Sequence, residues 1–199
     1  MGTYKEQLHM ILNNIPDKTQ YKDTTSHKFK QDVIDFFTDK KLKTCIELGT
    51  NHGWTTRILS DLFEHVYTID HKQSNTDLAK SNNADKNNIT FITGDVYNSA
   101  TYHGLPKIDV AFIDCIHTYD AVIADINSCI SLMDTECGMY FIFDDHGHPQ
   151  AIGVKQAIDR AIMEGLVVEC YIGHDAGYQY NDTSILIDKE GVILSYGKN

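Results

Sequence analysis

Ile108-Asp109-Val110-Ala111-Phe112-Ile113-Asp114, running on as Cys115-Ile116-His117-Thr118-Tyr119, is an apolar run that ends in acid. A second stretch repeats the pattern: Met139-Tyr140-Phe141-Ile142-Phe143-Asp144-Asp145, followed by His146-Gly147-His148. β-Branched and aromatic residues suit a buried strand, whereas a carboxylate at its end needs water, a cation or a partner. In an open α/β sheet, ligands bind beyond the carboxyl ends of the strands. Three aspartates and a histidine at two such ends point to a metal or acid/base site.

Around these two runs the chain alternates regularly. Strands are predicted at 44–48, 65–69, 89–92, 108–113 and 138–143, with helices at 54–63, 75–81, 119–133 and 154–163. The tail differs: 166–172 and 184–187 read as strands with no helix between them, and 192–195 extends the last. The pattern predicts an α/β fold, doubly wound around a mostly parallel seven-stranded sheet with an antiparallel C-terminal strand pair. Upstream, helices near 4–13 and 27–39 make an N-terminal helical segment, 1–42, suited to a substrate lid or an oligomer contact. Residues 43–199 form the core, and the whole is expected to be a single domain.

The formal net charge of -11 argues against a nucleic-acid partner, because phosphate binding needs a basic face. No apolar run approaches the roughly 20 residues that cross a bilayer, and no signal-peptide core is present. The expectation is a cytoplasmic protein with no membrane partner, in which the five cysteines are reduced and mostly buried. Without a secretory signal, the glycosylation-like triplets Asn88-Ile89-Thr90 and Asn181-Asp182-Thr183 carry no weight.

The first strand of the alternation leads into Glu47-Leu48-Gly49-Thr50-Asn51-His52-Gly53-Trp54. Gly49 and Gly53 bracket a tight strand-to-helix turn where a ligand can approach backbone N–H groups. Asp70 ends the next strand 21 residues after Gly49, a spacing at which an acid meets ribose hydroxyls. The three-glycine dinucleotide fingerprint is absent, since Asn51 and Trp54 take two of its positions. Asp95, after the third strand, suits either an adenine amino group or a turn. Asp114 and His117 stand three apart at the fourth strand end, where a helix cap and a surface histidine are the plain alternative. Asp144 and Asp145 can address one point only if the strand has already turned into loop, which Gly147 favours. With Asp114 they make an oxygen-rich set suited to Mg²⁺; His146 and His148 raise a competing Zn²⁺ or Fe²⁺ site.

Together these residues resemble a class I S-adenosylmethionine-dependent methyltransferase, with its Rossmann-like fold. Residues 47–53 resemble the family's E-x-G-x-x-x-G motif. Phe112-Ile113-Asp114, His117, Tyr119 and Asp125-Ile126 resemble the F-I-D-x-x-H-x-Y…D-I signature of a small-molecule O-methyltransferase branch. Phe143-Asp144-Asp145 with Gly153-Val154 resembles its D-D…G-V element. The resemblance spans about 43–187 and reaches the catechol and macrolide-sugar O-methyltransferases. It implies S-adenosylmethionine bound by Glu47, Gly49, Thr50, Asn51, Gly53, Asp70, Asp95 and Asp114. The ribose falls at Asp70, the methionine end near Glu47 and Gly49, and the adenine near Asp95. It also implies Mg²⁺ on Asp114, Asp144 and Asp145, with His117 as the base that deprotonates a small-molecule hydroxyl acceptor bearing vicinal hydroxyls. The N-terminal helices and residues 173–180 are the expected substrate walls. Three alternatives stand beside this reading. They are a metal-independent methyltransferase using His117 alone, a metal-dependent hydrolase using Asp144, His146 and His148, and a non-catalytic binding protein that keeps the fold.

Overall fold

The computed structural model describes residues 3–21, 23–180 and 183–197. Asn181 and Asp182 of the second glycosylation-like triplet lie outside them. In chain order the elements are α1 (Tyr4–Ile11), α2 (His27–Phe37), β1 (Thr44–Leu48), α3 (Trp54–Leu62), β2 (His65–Asp70), α4 (Gln73–Asn82), β3 (Ile89–Thr93), β4 (Val110–Ile113), α5 (Tyr119–Ser131), β5 (Met139–Phe143), α6 (Ile152–Met163), β6 (Val167–Ile172) and β7 (Gly191–Tyr196). Helix starts follow local chemistry. Thr3 and Glu6 form a capping box on α1, and the Ser26 hydroxyl accepts the Phe29 N–H at the start of α2.

The strands form one sheet in the order β3-β2-β1-β4-β5-β7-β6. β1 to β5 are mutually parallel, and β7 enters antiparallel between β5 and β6. All four residues of β4 are buried, as a parallel strand covered on both faces requires. One face packs under α5 and α6 around Ile113, Phe141, Phe143, Val122 and Ile158. The other packs under α2 and α3 around Phe29, Phe37, Leu59 and Phe112. α1 adds a smaller cluster in which Leu8, Leu12 and Ile34 meet Ile58.

The tail corrects one expectation. Residues 184–187 are not a strand of the sheet; only an isolated bridge, Gln179 to Ile185, forms there. Leu186 is buried, but Ile185 and Ile187 are about half exposed, so the apolar triplet docks one side chain and no ladder. Its backbone bonds locally to 177–180, with Leu186 donating to the Tyr178 carbonyl at 3.0 Å, and across the β5–α6 loop the Ile187 N–H donates to the Gly147 carbonyl at 2.9 Å. The antiparallel partner is Gly191–Tyr196, the stretch expected only to extend it. No helix among the described residues is long and apolar enough to cross a membrane.

Register aligns the strand ends. Leu48 of β1 pairs with Ile69 and Ile113, and Ile113 with Phe143, so Gly49, Asp70, Asp114 and Asp144 emerge along one edge of the sheet. The order reverses at β1, flanked by β2 and β4, which is where such sheets open a crevice. There Gly49 has φ +100°, and a Cβ on it would lie 2.0 Å from the Asp114 carbonyl oxygen. Gly104 also has positive φ but open space around it. We expect Gly49→Ala to cost about 3 kcal/mol or more and Gly104→Ala about 1 kcal/mol in urea unfolding. Equal losses at both positions would show that the β1 and β4 loops are free to separate.

Candidate active site

A cavity of about 910 Å³ opens over these strand ends. Gly49, Asn51, Asp70 and Asp95 line one side, and Asp114, His117, Asp144 and Asp145 line the other. Three residues expected at the cofactor stand behind this wall. Gly53 begins α3 in a left-handed conformation. Thr50 is buried, its hydroxyl 2.5 Å from that of Thr68. Glu47 is also buried and accepts hydrogen bonds from the Thr56 and Thr68 hydroxyls on one carboxylate oxygen. Its other oxygen has no partner. Burial pushes the Glu47 carboxyl up to about 8, so it is protonated at neutral pH.

Asp70 braces the wall it belongs to. One carboxylate oxygen accepts the Asn51 N–H at 2.9 Å, the other the Lys72 N–H at 2.8 Å, and the Asn75 amide reaches both. Asn51 has φ +46°, a strained geometry that this contact helps to hold. Asp95 is exposed at the cavity edge, and its carboxylate accepts the Tyr97 N–H at 2.9 Å, closing a local turn.

The acids of the second side divide into two sets. Asp145 adopts φ +59°, so the turn that follows β5 is made at Asp145 itself. Gly147 serves another need, since a Cβ there would meet the Asp188 carbonyl at 2.2 Å. With that turn, Asp145 converges on Asp114 and His117, and the three offer ligand atoms within 4.8 Å of one another. His117 Nε2 lies 3.5 Å from Asp114 Oδ1 and 3.3 Å from Asp145 Oδ2. The contact with Asp114, opposed by burial and aided by Asp145, raises the imidazole to about 9.

Asp144, by contrast, faces Lys18, which no sequence pattern had singled out. Lys18 Nζ lies 3.7 Å from Asp144 Oδ2 and 3.5 Å from Asp145 Oδ1, and sits 4.7 Å above the Tyr180 ring. Burial works against its charge, but Asp144 and then Asp145 hold the ammonium well above its ordinary range. Burial pushes the Asp144 carboxyl up while Lys18 pulls against that shift, and Asp144 Oδ1 has no hydrogen-bond partner. These residues fit a divalent cation: the donors are hard oxygens, and one buried carboxylate oxygen is orphaned.

The expected substrate walls shift accordingly. The cavity is lined not by α1 or α2 but by Lys18, Asp23 and Thr24 from the chain between them. Residues 173–180 do not line it; Tyr180 approaches through Lys18. His148 reaches the cavity, whereas His146 is buried with Nδ1 3.4 Å from the Lys189 carbonyl and Nε2 3.4 Å from Lys155 Nζ. Asp144, His146 and His148 therefore do not converge among the described residues, which removes the site of the hydrolase alternative. Asp125, part of the D-I element, is fully buried in α5 with both carboxylate oxygens unpartnered, and burial raises it to about 7.

This strand order, with its cavity at the reversal point, defines a class I S-adenosylmethionine-dependent methyltransferase. Residues 46–146 match the family model described as a methyltransferase domain, and the chain belongs to that family. Solved structures share the fold at low identity. An O-methyltransferase from Bacillus cereus in complex with SAH superposes with a TM-score of 0.62 at 16% identity, covering 98% of this chain and 90% of that one. TomG, an O-methyltransferase from Streptomyces achromogenes in complex with SAM, gives 0.64 at 14% identity, covering 100% and 91%. An rRNA methylase from Streptococcus thermophilus gives 0.55 at 14%, covering 81% and 90%, so the fold alone does not choose the acceptor. No curated protein matches the sequence.

The buried Glu47 has a measurable signature. Between about pH 4.5 and 8 the unfolded chain has released this proton and the folded chain keeps it, so folding stability falls as pH rises across that window. Glu47→Gln cannot ionise. Its stability relative to wild type should rise by about 1.4 kcal/mol per pH unit at most over that range, in cofactor-free urea titrations. A pH-independent difference would show that Glu47 is ionised in the fold.

Proposed function

We propose that this methyltransferase transfers the sulfonium methyl group of S-adenosylmethionine to a hydroxyl of a small acceptor with vicinal hydroxyls, catechol-like or sugar-like, with the help of Mg²⁺. The observation that carries this reading is the single cavity that joins the Gly49–Asp70 side to the Asp114–His117–Asp145 cluster. Methyl transfer from a sulfonium is an in-line displacement, so alignment and a deprotonated oxygen are what the protein must supply. Gly49 and Asn51 offer backbone close to the donor, Asp70 its carboxylate to the ribose, and Asp95 its edge to the adenine. Glu47, Thr50 and Gly53 support this surface from behind. Asp114, standing at the meeting of the two sides, orients His117 and shares the acceptor end with Asp145.

Asp114, Asp144 and Asp145 are the residues that would hold the metal. When bound there, a divalent cation would supply acidification of an acceptor hydroxyl and would offset the negative charge that keeps His117 protonated. The role of His117, in its neutral form, is to take the acceptor proton. The lid expected of the N-terminal segment meets the acceptor side through Lys18, while Asp23 and Thr24 reach the cavity beside Asn51. A small acceptor, rather than RNA, is supported by the acidic cavity and the net charge of -11. A metal-independent variant, with His117 as base, draws support from Lys18, which already sets a cation beside Asp144 and Asp145.

Calorimetry with S-adenosylmethionine and S-adenosylhomocysteine, with and without Mg²⁺, tests the reading; no binding of either would end it. Asp70→Ala should weaken cofactor binding about tenfold or more, since it also frees the Asn51 turn. Asp144→Ala should spare cofactor binding and abolish turnover; full activity after metal chelation selects the metal-independent variant. His117→Ala should lower kcat by about 10²–10⁴ and remove the corresponding limb of the pH–rate profile. An unchanged profile would take the base role from His117.

A further inference from the structure

The connection between α1 and α2 brings a lysine into the acidic end of the cavity. Lys18 lies in a turn closed by the Gln20 N–H on the Asp17 carbonyl, at 2.8 Å. That turn is pinned on both sides. The Asp17 carboxylate accepts the His27 N–H at 2.6 Å, and Tyr21 stacks on His52 with its hydroxyl 3.0 Å from Nε2. Further on, the Asn51 amide donates to the Asp23 carbonyl at 2.8 Å. The side chain is only 10% exposed, so its ammonium is delivered to one place rather than left to wander.

That place is taken from the carboxylates proposed as metal ligands. Asp145 shares its two oxygens between cations, Oδ1 facing Lys18 and Oδ2 facing His117. Asp144 Oδ2 faces Lys18, and Oδ1 is left without a partner. A divalent ion bound by Asp144 and Asp145 would stand within a few ångströms of a fixed positive charge, a repulsion that little water is present to screen.

We propose that Lys18 is a tethered counter-ion of the Asp144–Asp145 pair, which a divalent metal must displace, so that metal loading loosens the turn at 17–21. The inference rests on the metal part of the proposed function. In the absence of metal, the lysine keeps the acid pair compensated. When metal enters, the ammonium moves out, and the turn at 17–20 loses one of the contacts that hold it, keeping those of Asp17 with His27 and Tyr21 with His52.

Mn²⁺ is the probe, titrated into cofactor-free protein and followed by calorimetry and by the spin resonance of free Mn²⁺. Lys18→Met should bind Mn²⁺ about tenfold or more tighter than wild type, while Lys18→Arg, which keeps the charge, should match wild type. Wild-type affinity for S-adenosylhomocysteine in each variant verifies its fold. A second readout needs no variant: saturating Mn²⁺ should speed amide exchange at residues 17–21 of the wild-type protein. If wild type binds Mn²⁺ but Lys18→Met binds no tighter, or exchange at 17–21 is unchanged or slowed, the tethered counter-ion is overturned and the metal reading stands. If neither protein binds Mn²⁺, the metal reading falls and the inference falls with it.

Discussion

The Asp114 carbonyl lies against the Cα of Gly49, so close that a Cβ would be 2.0 Å from its oxygen. Two loops that leave neighbouring parallel strands are thereby pressed into backbone contact at the point where the strand order reverses. The ladder runs one step past the strands to make this possible: Gly49 donates to Ile69 and Asp114 to Leu48, at 3.0 and 2.9 Å. Everything chemical follows from this approach. It puts a backbone surface free of side chains next to a carboxylate and a histidine, so a donor and an acceptor can share one space. A looser junction would leave two separate half-sites.

Around that junction, polar groups are buried in the service of geometry rather than stability. Asp70 spends its carboxylate on the Asn51 and Lys72 amides, and Glu47 spends one oxygen on two threonine hydroxyls. A second buried set lies at the far side, where Glu190 accepts from the Ser26 amide, the Ser26 hydroxyl and the His174 amide. Lys30, equally buried, donates to the Thr24 hydroxyl and the Thr25 carbonyl. Burial lowers its ammonium to about 8, less than burial alone would, because Asp144 and Glu190 oppose the shift. These groups tie the α1–α2 connection to the sheet and so fix where Lys18 and Thr24 meet the cavity.

Much of this was legible in the chain itself, for physical reasons. β4 and β5 are covered on both faces, so they read as unbroken apolar runs whose ends are marked by acid. Asp70 follows from the spacing of a strand–helix–strand unit, and the parallel order from the helices between strands. What was not legible depends on contacts remote in sequence or on single backbone angles. The split between Asp144 and Asp145 turns on φ +59° at a residue that is not glycine. Lys18 sits in a turn without periodicity, and its partners Asp144, Asp145 and Tyr180 are remote from it in sequence. Residues 184–187 misled because Ile185, Leu186 and Ile187 look like a strand, while only Leu186 finds a core. Glu47 was placed at the cavity by its motif, whereas the side chain turns to Thr56 and Thr68.

The place of β7 has a consequence for how the molecule is made. It is the last strand among the described residues, yet it fills a slot between β5 and β6 and carries Glu190 just before it. During synthesis the first half of the sheet can pair as it emerges, but β5 keeps an open edge until Gly191–Tyr196 is available. Ser26, made long before, has no Glu190 to bind until then. The chain between α1 and α2, which lines the cavity, is thus held in part by Glu190, far along the sequence. A nascent chain that stops short of β7 would already carry every residue from Lys18 to Ala151 that lines the cavity, but not the Glu190 carboxylate that holds Ser26.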